Sequence, residues 1–357
     1  MDQQGNYVRD GHYCRWYETG IKEAEGNFKY RPNLDTSVGA TGIPIAGREG
    51  KWVFWYDNGK KSESSIYRNG KLQGHNVTWF KNGQKELERT YENGKITGNV
   101  RQWYENGNKR LDGRILNDSI PDGHMIAWYE NGQKESDGFF KNGESYGSAI
   151  VWYQNGNKKA EENYKNGKLN GVKTEWYENG IKQMSSVFLD GKANGLITGW
   201  YKNGTKETEA NMKDSLFEGL LTTWYENGQK KSEENYKSGK KDGLATGWYE
   251  NGKKQSEGVF KTGIAIGKST SWFENGNKDS ECNYVDGKVH GTILNWYENG
   301  KMKAEGIYNM GKKDGLFVAY NEDGVKSCEE LYKNDVLLSH KETNSVVHHN
   351  LMSQQNN

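Results

Sequence analysis

The tryptophans of this 357-residue chain fall on a ladder of fixed spacing. From Trp55 onward the spacing is about 24 residues, within the range of periods that is typical of repeat proteins. The first interval, from Trp16 to Trp55, is longer than the others. Tyr320 continues the ladder one period beyond its last tryptophan, and only Trp52 lies off it. Thirteen copies of one unit therefore fill most of the chain. The ladder tryptophans are Trp16, Trp55, Trp79, Trp103, Trp128, Trp152, Trp176, Trp200, Trp224, Trp248, Trp272 and Trp296.

Other residue types recur at fixed distances from the ladder position. Glycine lies five residues before it and four residues after it in all thirteen copies. Lysine occupies the sixth place after it in twelve copies, an acidic residue the ninth in eleven, and an aromatic residue the twelfth in eleven. A unit with so many fixed positions predicts one local structure that is repeated along the chain.

Two turn signals in each unit predict that this local structure is a β-hairpin. The chain has seventeen Asn-Gly pairs, and most of them fall at two places per repeat. Asn-Gly favours a type I′ turn, in which both central residues have positive φ. Two turns in each period leave two short strands, and the segments between the turns show no helical period.

The composition agrees with a thin sheet. Apolar residues make up only 32% of the chain and its mean hydropathy is −1.07, whereas aromatic residues reach 13% and glycine contributes 46 residues. Disordered chains are poor in aromatic residues. We therefore predict an all-β fold, an elongated array of stacked β-hairpins that forms a twisted meander sheet of about 26 strands.

The repeat pattern also predicts the domain boundaries. Residues 1–10 form an N-terminal arm, residues 11–335 hold the thirteen repeats, and residues 336–357 form a polar tail that we expect to be disordered. The long first interval of the ladder contains Pro32 and Pro44, so residues 30–48 are predicted to be a loop inserted in the first repeat.

The charge balance and the cysteines narrow the function classes. Lysine and arginine number 49 against 48 acidic residues, without the basic excess of nucleic-acid-binding proteins. We expect no nucleic-acid partner. Three scattered cysteines and no apolar leader or membrane span predict a cytoplasmic protein.

The unit G-x-x-x-x-W-Y-E-N-G-x-K-x-x-E-x-x-Y-x-N-G-K, clearest at residues 171–195 and 219–243, resembles the MORN-repeat variant, the repeat of the YwqK-type bacterial antitoxins. The resemblance covers about residues 11–335. It implies stacked hairpins, binding rather than catalysis, and toxin neutralisation as one function. MORN repeats in general have also been linked to membrane lipids and to scaffolds.

The residues predict no catalytic, cofactor or metal site. His12, His75 and His124 share one slot in alternate copies and would lie about 20 Å apart, too far to share a metal ion. The three cysteines occupy different slots, and periodic acidic residues are typical of cross-strand pairing rather than of a catalytic pair. We therefore predict that the chain is not an enzyme.

Two features could contact a partner. The lysine row could bind an extended anion, such as lipid headgroups or a glycan, although the matching acidic row favours a solvated, compensated face. The copies near the inserted loop depart most from the consensus, which predicts a local partner surface. Its candidate residues are Trp52, Phe54, Arg89, Arg101, Arg110 and Arg114.

These observations predict a non-enzymatic repeat protein that acts as a protein-interaction scaffold or as an antitoxin-like or immunity-like neutraliser. Its partner would be a protein, with a toxin as one case. The alternative is a structural or surface-binding protein that recognises lipid headgroups or glycan through its lysine and aromatic rows.

Overall fold

The computed structural model describes residues 10–29 and 42–343. All regular elements in these residues are β-strands, and none is a helix. The prediction of an all-β hairpin repeat fold is therefore confirmed. Each repeat contributes one strand that ends at its ladder residue and a second strand that begins at or beside the lysine slot six residues later. The two strands of each hairpin pair antiparallel, as Gly267–Trp272 does with residues 278–284.

The chain divides into two compact units. The first contains the described residues up to Ile181 together with Phe188–Gly191, and the second contains Lys182–Val187 and the described residues from Lys192 onward. In the first unit the strands are β1 (Gly11–Trp16), β2 (Lys22–Phe28), β3 (Arg48–Trp55), β4 (Lys61–Arg68), β5 (Lys71–Leu72), β6 (Gly74–Trp79), β7 (Lys85–Glu92), β8 (Lys95–Trp103), β9 (Lys109–Leu116), β10 (Ile120–Pro121), β11 (Gly123–Trp128), β12 (Lys134–Lys141), β13 (Glu144–Trp152), β14 (Lys158–Lys165), β15 (Lys168–Leu169) and β16 (Gly171–Trp176).

The second unit repeats the same plan. The remaining strands are β17 (Lys182–Leu189), β18 (Lys192–Trp200), β19 (Lys206–Lys213), β20 (Leu216–Phe217), β21 (Gly219–Trp224), β22 (Lys230–Lys237), β23 (Lys240–Trp248), β24 (Lys254–Lys261), β25 (Ile264–Trp272), β26 (Lys278–Val285), β27 (Lys288–Val289), β28 (Gly291–Trp296), β29 (Met302–Asn309), β30 (Lys312–Tyr320), β31 (Lys326–Lys333) and β32 (Val336–Glu342).

The two turns of each repeat have different geometries. At the second turn both central residues have positive φ, as in Asn69 (56°) and Gly70 (74°), which is the type I′ geometry that Asn-Gly predicts. At the first turn only the glycine has positive φ, as in Gly59 (78°). There the Gly59 amide donates to the Tyr56 carbonyl and the Tyr56 amide to Lys60. This is a three-residue loop with a left-handed glycine, so a type I′ assignment for this turn is wrong.

The asparagine of the first turn does not have the positive φ that its pairing with glycine predicts, and its side chain forms hydrogen bonds instead. The Asn58 Oδ1 accepts a hydrogen bond from the Lys60 amide, and its Nδ2 donates to the carbonyl of Lys81 in the next repeat. Ten described repeats have this link between asparagine and the following turn. The asparagine therefore joins neighbouring turns instead of adopting a left-handed conformation.

The core of the first unit lies under the inserted segment. Trp52 is fully buried among Phe28, Phe54 and Tyr67, and Ile43 of the insertion belongs to the same cluster. The buried Arg48 donates to the carbonyls of Ile43 and Pro44 and to the Tyr67 hydroxyl. Residues 42–48 of the predicted loop thus cover this core, while residues 30–41 lie outside the described residues.

The C-terminal boundary differs from the prediction. Val336–Glu342 form β32, which pairs with β31 along its length, so the disordered tail does not begin at residue 336. The turn Asn334-Asp335, with positive φ at both residues, starts a further half-repeat that lacks the ladder aromatic. Residues 344–357, and residues 1–9 of the predicted arm, lie outside the described residues.

Candidate functional site

The ladder tryptophans lie on one face of the sheet in each unit, together with the lysine and acidic rows; we call it the tryptophan face. Lys230 shows the arrangement. Its ammonium lies 2.5 Å from Glu233 Oε1 and 5.9 Å from the centroid of the Trp248 ring in the next repeat. Ten lysines of the row contact the next ladder tryptophan in this way. Each lysine therefore joins two repeats through a cation–π contact.

The lysine row is electrostatically compensated. Ten of its lysines form ion pairs with the acidic residue three positions later. Glu281 has two such partners: Lys268 and Lys278 lie 2.8 and 2.6 Å from its oxygens and lower the pKa of its carboxyl. A row whose charges are already paired offers little net attraction to an extended anion.

A row of exposed aliphatic side chains follows the tryptophan face of the second unit. Leu196, Leu220, Leu244 and Leu316 occupy the slot four residues before the ladder position, and we call them the leucine row. Each is between 44% and 47% exposed. In the first unit the same slot holds polar residues such as His75 and His124, whose imidazoles pair with Glu88 and Asp137, and one aliphatic residue, Val172. In the second unit Lys268 and Thr292 occupy the slot between Leu244 and Leu316.

A shallow groove of about 340 Å³ lies beside the leucine row. Leu244 and its cross-strand partner Val259 form its apolar part, with Trp272 as a further wall. The charged lining groups are Glu257, Lys268, Lys278 and Glu281. An apolar strip flanked by charges of both signs is the usual character of a protein-binding surface.

The residues predicted to form a partner surface do not lie together. Trp52 and Phe54 are buried in the core of the first unit, because residues 42–48 cover them. Their assignment to a surface is therefore wrong. Arg89 points to the face opposite Arg101, since the two residues pair with neighbouring positions, Val100 and Glu88, across β7 and β8.

The four arginines also have partners of their own. Arg89 donates to Asn76 Oδ1, and the Arg110 guanidinium lies 5.7 Å from the Tyr104 ring. Arg101 pairs with Asp112 at 3.4 Å, and Arg114 with Asp122 at 3.8 Å. The structure thus uses these arginines within and between neighbouring strands, and it does not gather them into one patch.

The leucine row is the feature that sequence reasoning missed. The leucines stand in regular copies, whereas the departures from the consensus that predict a partner surface lie near the inserted loop. The signal was the residue type at one slot, which is polar in the first six copies and aliphatic in five of the seven later ones.

Comparison with protein-family models gives one family, described as MORN repeat variant. Eight segments match it, at residues 9–30, 48–69, 121–142, 146–166, 217–238, 241–262, 266–286 and 289–310. The chain belongs to the MORN repeat variant family. These matches place it among repeat scaffolds built from β-hairpins, and they follow the same register as the tryptophan ladder.

Comparison with solved structures adds alignments of low similarity to this MORN-variant chain. The crystal structure of TcdB2-TccC3-Cdc42 aligns at 9% identity and a TM-score of 0.16, over 89% of this chain and 22% of that chain. The crystal structure of TcdB2-TccC3 aligns at 10% identity and a TM-score of 0.15, over 94% and 25%. The chain thus spans about a quarter of their length or less, and such TM-scores do not establish a shared fold.

Two further findings concern this MORN-variant chain. The search of curated proteins gives no significant match. Among residues 10–29 and 42–343, no helix has the length and apolar character needed to cross a membrane.

Proposed function

We propose that this MORN-variant chain is a non-enzymatic scaffold that binds a protein partner on the tryptophan face of its second unit. The observation that carries the proposal is the leucine row with its adjoining groove. Four leucines at one slot, each close to half exposed, give a repeated apolar contact. Exposed apolar patches bordered by polar residues are typical of protein interaction sites.

The charges of the tryptophan face favour a protein over a lipid or glycan. Lysines and acids alternate around the groove, as in Glu257, Lys268 and Glu281, and the whole chain has a formal net charge of only +1. A surface with paired charges gives specificity through complementarity and little general attraction to polyanions. Four acidic residues of this face each form an ion pair with a lysine of the row, which supports a binding role rather than acid–base catalysis; they are Glu209, Glu233, Glu257 and Glu281.

Mutation of the leucine row tests the proposal. Leu220→Glu with Leu244→Glu places two carboxylates on the row, and we expect loss of partner capture from cells of the source organism. The matched control is Leu216→Glu with Val285→Glu, because these residues are 49% and 41% exposed but flank the second turns. Capture is read by mass spectrometry and repeated with the purified partner. Equal binding by both double variants would refute the leucine row as the site.

A narrower form of the proposal is neutralisation of a toxic protein. It requires a stoichiometric partner that inhibits growth when expressed alone and is harmless when co-expressed with this chain. Co-expression with the leucine-row variant should then fail to protect the cells. A partner that is not toxic would reject this form and leave the scaffold proposal intact.

The alternative is recognition of lipid headgroups or glycan through the lysine and aromatic rows. Flotation with vesicles containing anionic lipid, and binding to glycan arrays, measure it directly. Binding that weakens with salt and is insensitive to the leucine-row substitutions would favour this alternative. The absence of such binding, together with a captured protein, would favour the scaffold.

A further inference from the structure

Three potential metal ligands of different chemistry meet at the first hairpin. His12 and Cys14 alternate along β1 and therefore point to the same face of the sheet. Glu25 of β2 is the cross-strand partner of Cys14. The imidazole, thiol and carboxylate ligand atoms all lie within 4.8 Å of one another.

The distances within this cluster match a tetrahedral metal site. Zinc binds nitrogen and oxygen at about 2.0–2.2 Å and sulfur at about 2.3 Å, which places neighbouring ligand atoms about 3.4–3.6 Å apart in a tetrahedron. Cys14 Sγ lies 3.2 Å from His12 Nε2. His12 Nε2 lies 3.5 Å from Glu25 Oε1. The edge from His12 to Glu25 thus already has the required length, and the edge from Cys14 to His12 is shorter than required by a few tenths of an ångström.

The neighbouring lysine orients the carboxylate. Lys22 Nζ lies 2.9 Å from Glu25 Oε2, which leaves Oε1 directed toward His12. Partners of this kind commonly fix the orientation of metal ligands.

The other described repeats do not provide this ligand set. His75 and His124 occupy the same slot as His12, and each pairs with the acidic residue of its hairpin. The residue equivalent to Cys14, however, is Val77 in the repeat of His75 and Ile126 in the repeat of His124. The cluster at the first hairpin therefore combines the recurring His–acid pair with a thiol.

We propose that His12, Cys14 and Glu25 form a zinc-binding site with a fourth position open to water or to a ligand from a partner. This site is separate from the leucine row, so it stands independently of the proposed function. Zinc accepts this combination of nitrogen, sulfur and oxygen ligands.

Metal titration of the untagged full chain tests the site. Zn²⁺ is measured by competition with a chromogenic chelator, and Co²⁺ reports the thiolate ligand through a sulfur-to-metal charge-transfer band. We expect one equivalent with that band. Cys14→Ser should remove the band, whereas Cys282→Ser and Cys328→Ser should keep it. His12→Gln and Glu25→Gln should each weaken binding about tenfold or more.

A gain of binding provides the matched control. Ile126 faces Asp137 across β11 and β12, as Cys14 faces Glu25, and His124 lies two residues before it. Ile126→Cys should therefore add a second equivalent with its own charge-transfer band. His348→Gln with His349→Gln should leave the first equivalent unchanged. The absence of a thiolate band in the unmodified chain, its persistence in Cys14→Ser, or the absence of a second equivalent in Ile126→Cys would overturn the proposal.

Discussion

Side-chain size is matched across neighbouring strands at one pair of positions. The residue ten places after a ladder residue faces, on the neighbouring strand, the residue three places before the next ladder residue, as Gly306 faces Phe317. A Cβ on Gly26 would lie 2.2 Å from the Trp52 ring, and one on Gly306 would lie 2.2 Å from the Phe317 ring. Where the first residue is Glu162, the second is Lys173, at an ion-pair distance of 3.1 Å. The large ring of Trp52 therefore fits because its cross-strand neighbour is glycine.

The burial of Trp52 depends on this pairing and could not be predicted from the sequence alone. Its position off the ladder was visible, but its partner Gly26 lies across the inserted segment and belongs to another copy. Only the strand register connects the two residues. The same limit applies to His12, Cys14 and Glu25, because the spacing of the histidines along the chain does not show that Glu25 lies opposite Cys14 in the hairpin.

The first prediction concerns Gly26. Gly26→Ala forces a methyl group into the fully buried Trp52 ring, so we expect a loss of about 3 kcal/mol in the free energy of unfolding. Gly138→Ala is the matched control, because the same slot there has Ala149 Cβ at 3.4 Å as its nearest neighbour. Its effect should stay within about 1 kcal/mol. Urea denaturation measures both, and equal losses would contradict the size matching.

The second prediction concerns alkaline stability. Burial and a hydrogen bond to the neighbouring Glu162 raise the pKa of Tyr164 to about 12, and burial and Glu234 do the same for Tyr236. The unfolded chain releases these phenolic protons near the ordinary pKa of about 10. The contribution to stability is therefore complete below pH 10 and is lost as the pH rises toward 12.

Denaturation midpoints measured between pH 9 and about pH 12 should therefore fall with rising pH, as tyrosines with raised pKa values begin to ionise. In the double variant Tyr164→Phe, Tyr236→Phe this fall should be shallower than in the unmodified chain. Tyr146→Phe is the control, because Tyr146 is 55% exposed. A slope that is the same in the double variant and the unmodified chain would show that these two hydroxyls are not coupled to folding.

Successive hairpins are joined by a ladder of tyrosine hydroxyls. Where a tyrosine follows the ladder residue, its hydroxyl donates to the carbonyl of the next ladder residue, as Tyr225 does to Trp248 at 2.8 Å. Nine described repeats have this bond. Sequence reasoning recognised the aromatic slot but not this bond, because its acceptor is a backbone carbonyl in the following copy, far along the chain from the donor.

The positions of the turns could be predicted from the sequence, but the conformation of the first turn could not. Asn-Gly pairs marked both turns of the repeat correctly, yet only the second turn is type I′. At the first turn, Asn58 and its equivalents bind the carbonyl of the next repeat, and this bond exists only after the hairpins have stacked. A local dipeptide preference therefore located the turns, while contacts between repeats set the conformation of one of them.

The tyrosine ladder gives the third prediction. Tyr225→Phe removes one hydroxyl bond and should lower the free energy of unfolding by about 1 kcal/mol. Phe273 occupies the same slot in a repeat that lacks the hydroxyl, so Phe273→Tyr should raise stability by up to about 1 kcal/mol. Urea denaturation of the two single variants gives the two signs. If the two changes have the same sign, the bond between repeats has no net stabilising effect.

The repeat period predicts the register of the whole array but not its division into two compact units. The period fixes which slots face one another, and the family matches follow the same register. The division falls within the strand Lys182–Leu189, where no slot of the unit is inserted or deleted. A difference in chemistry between the units is visible in a variable slot, which holds histidine in three copies of the first unit and leucine in four of the six copies of the second.

The last prediction follows from that register. Deletion of residues 243–266 removes one full period from the second unit and places Gly267 directly after Asp242. All slots stay aligned, so Trp272 takes the place of Trp248 in the cation–π contact with Lys230. In a repeat protein whose stability is approximately a sum of repeat and neighbour terms, this shortened chain should fold with a small loss of stability.

Deletion of residues 243–265 is the control, because it leaves one extra residue, which turns alternate side chains to the other face and moves the left-handed glycine slot. Circular dichroism and thermal denaturation should show a cooperative transition for the full-period deletion and a strongly destabilised second unit for the shorter deletion. Similar stability of the two chains would mean that the period does not set the register.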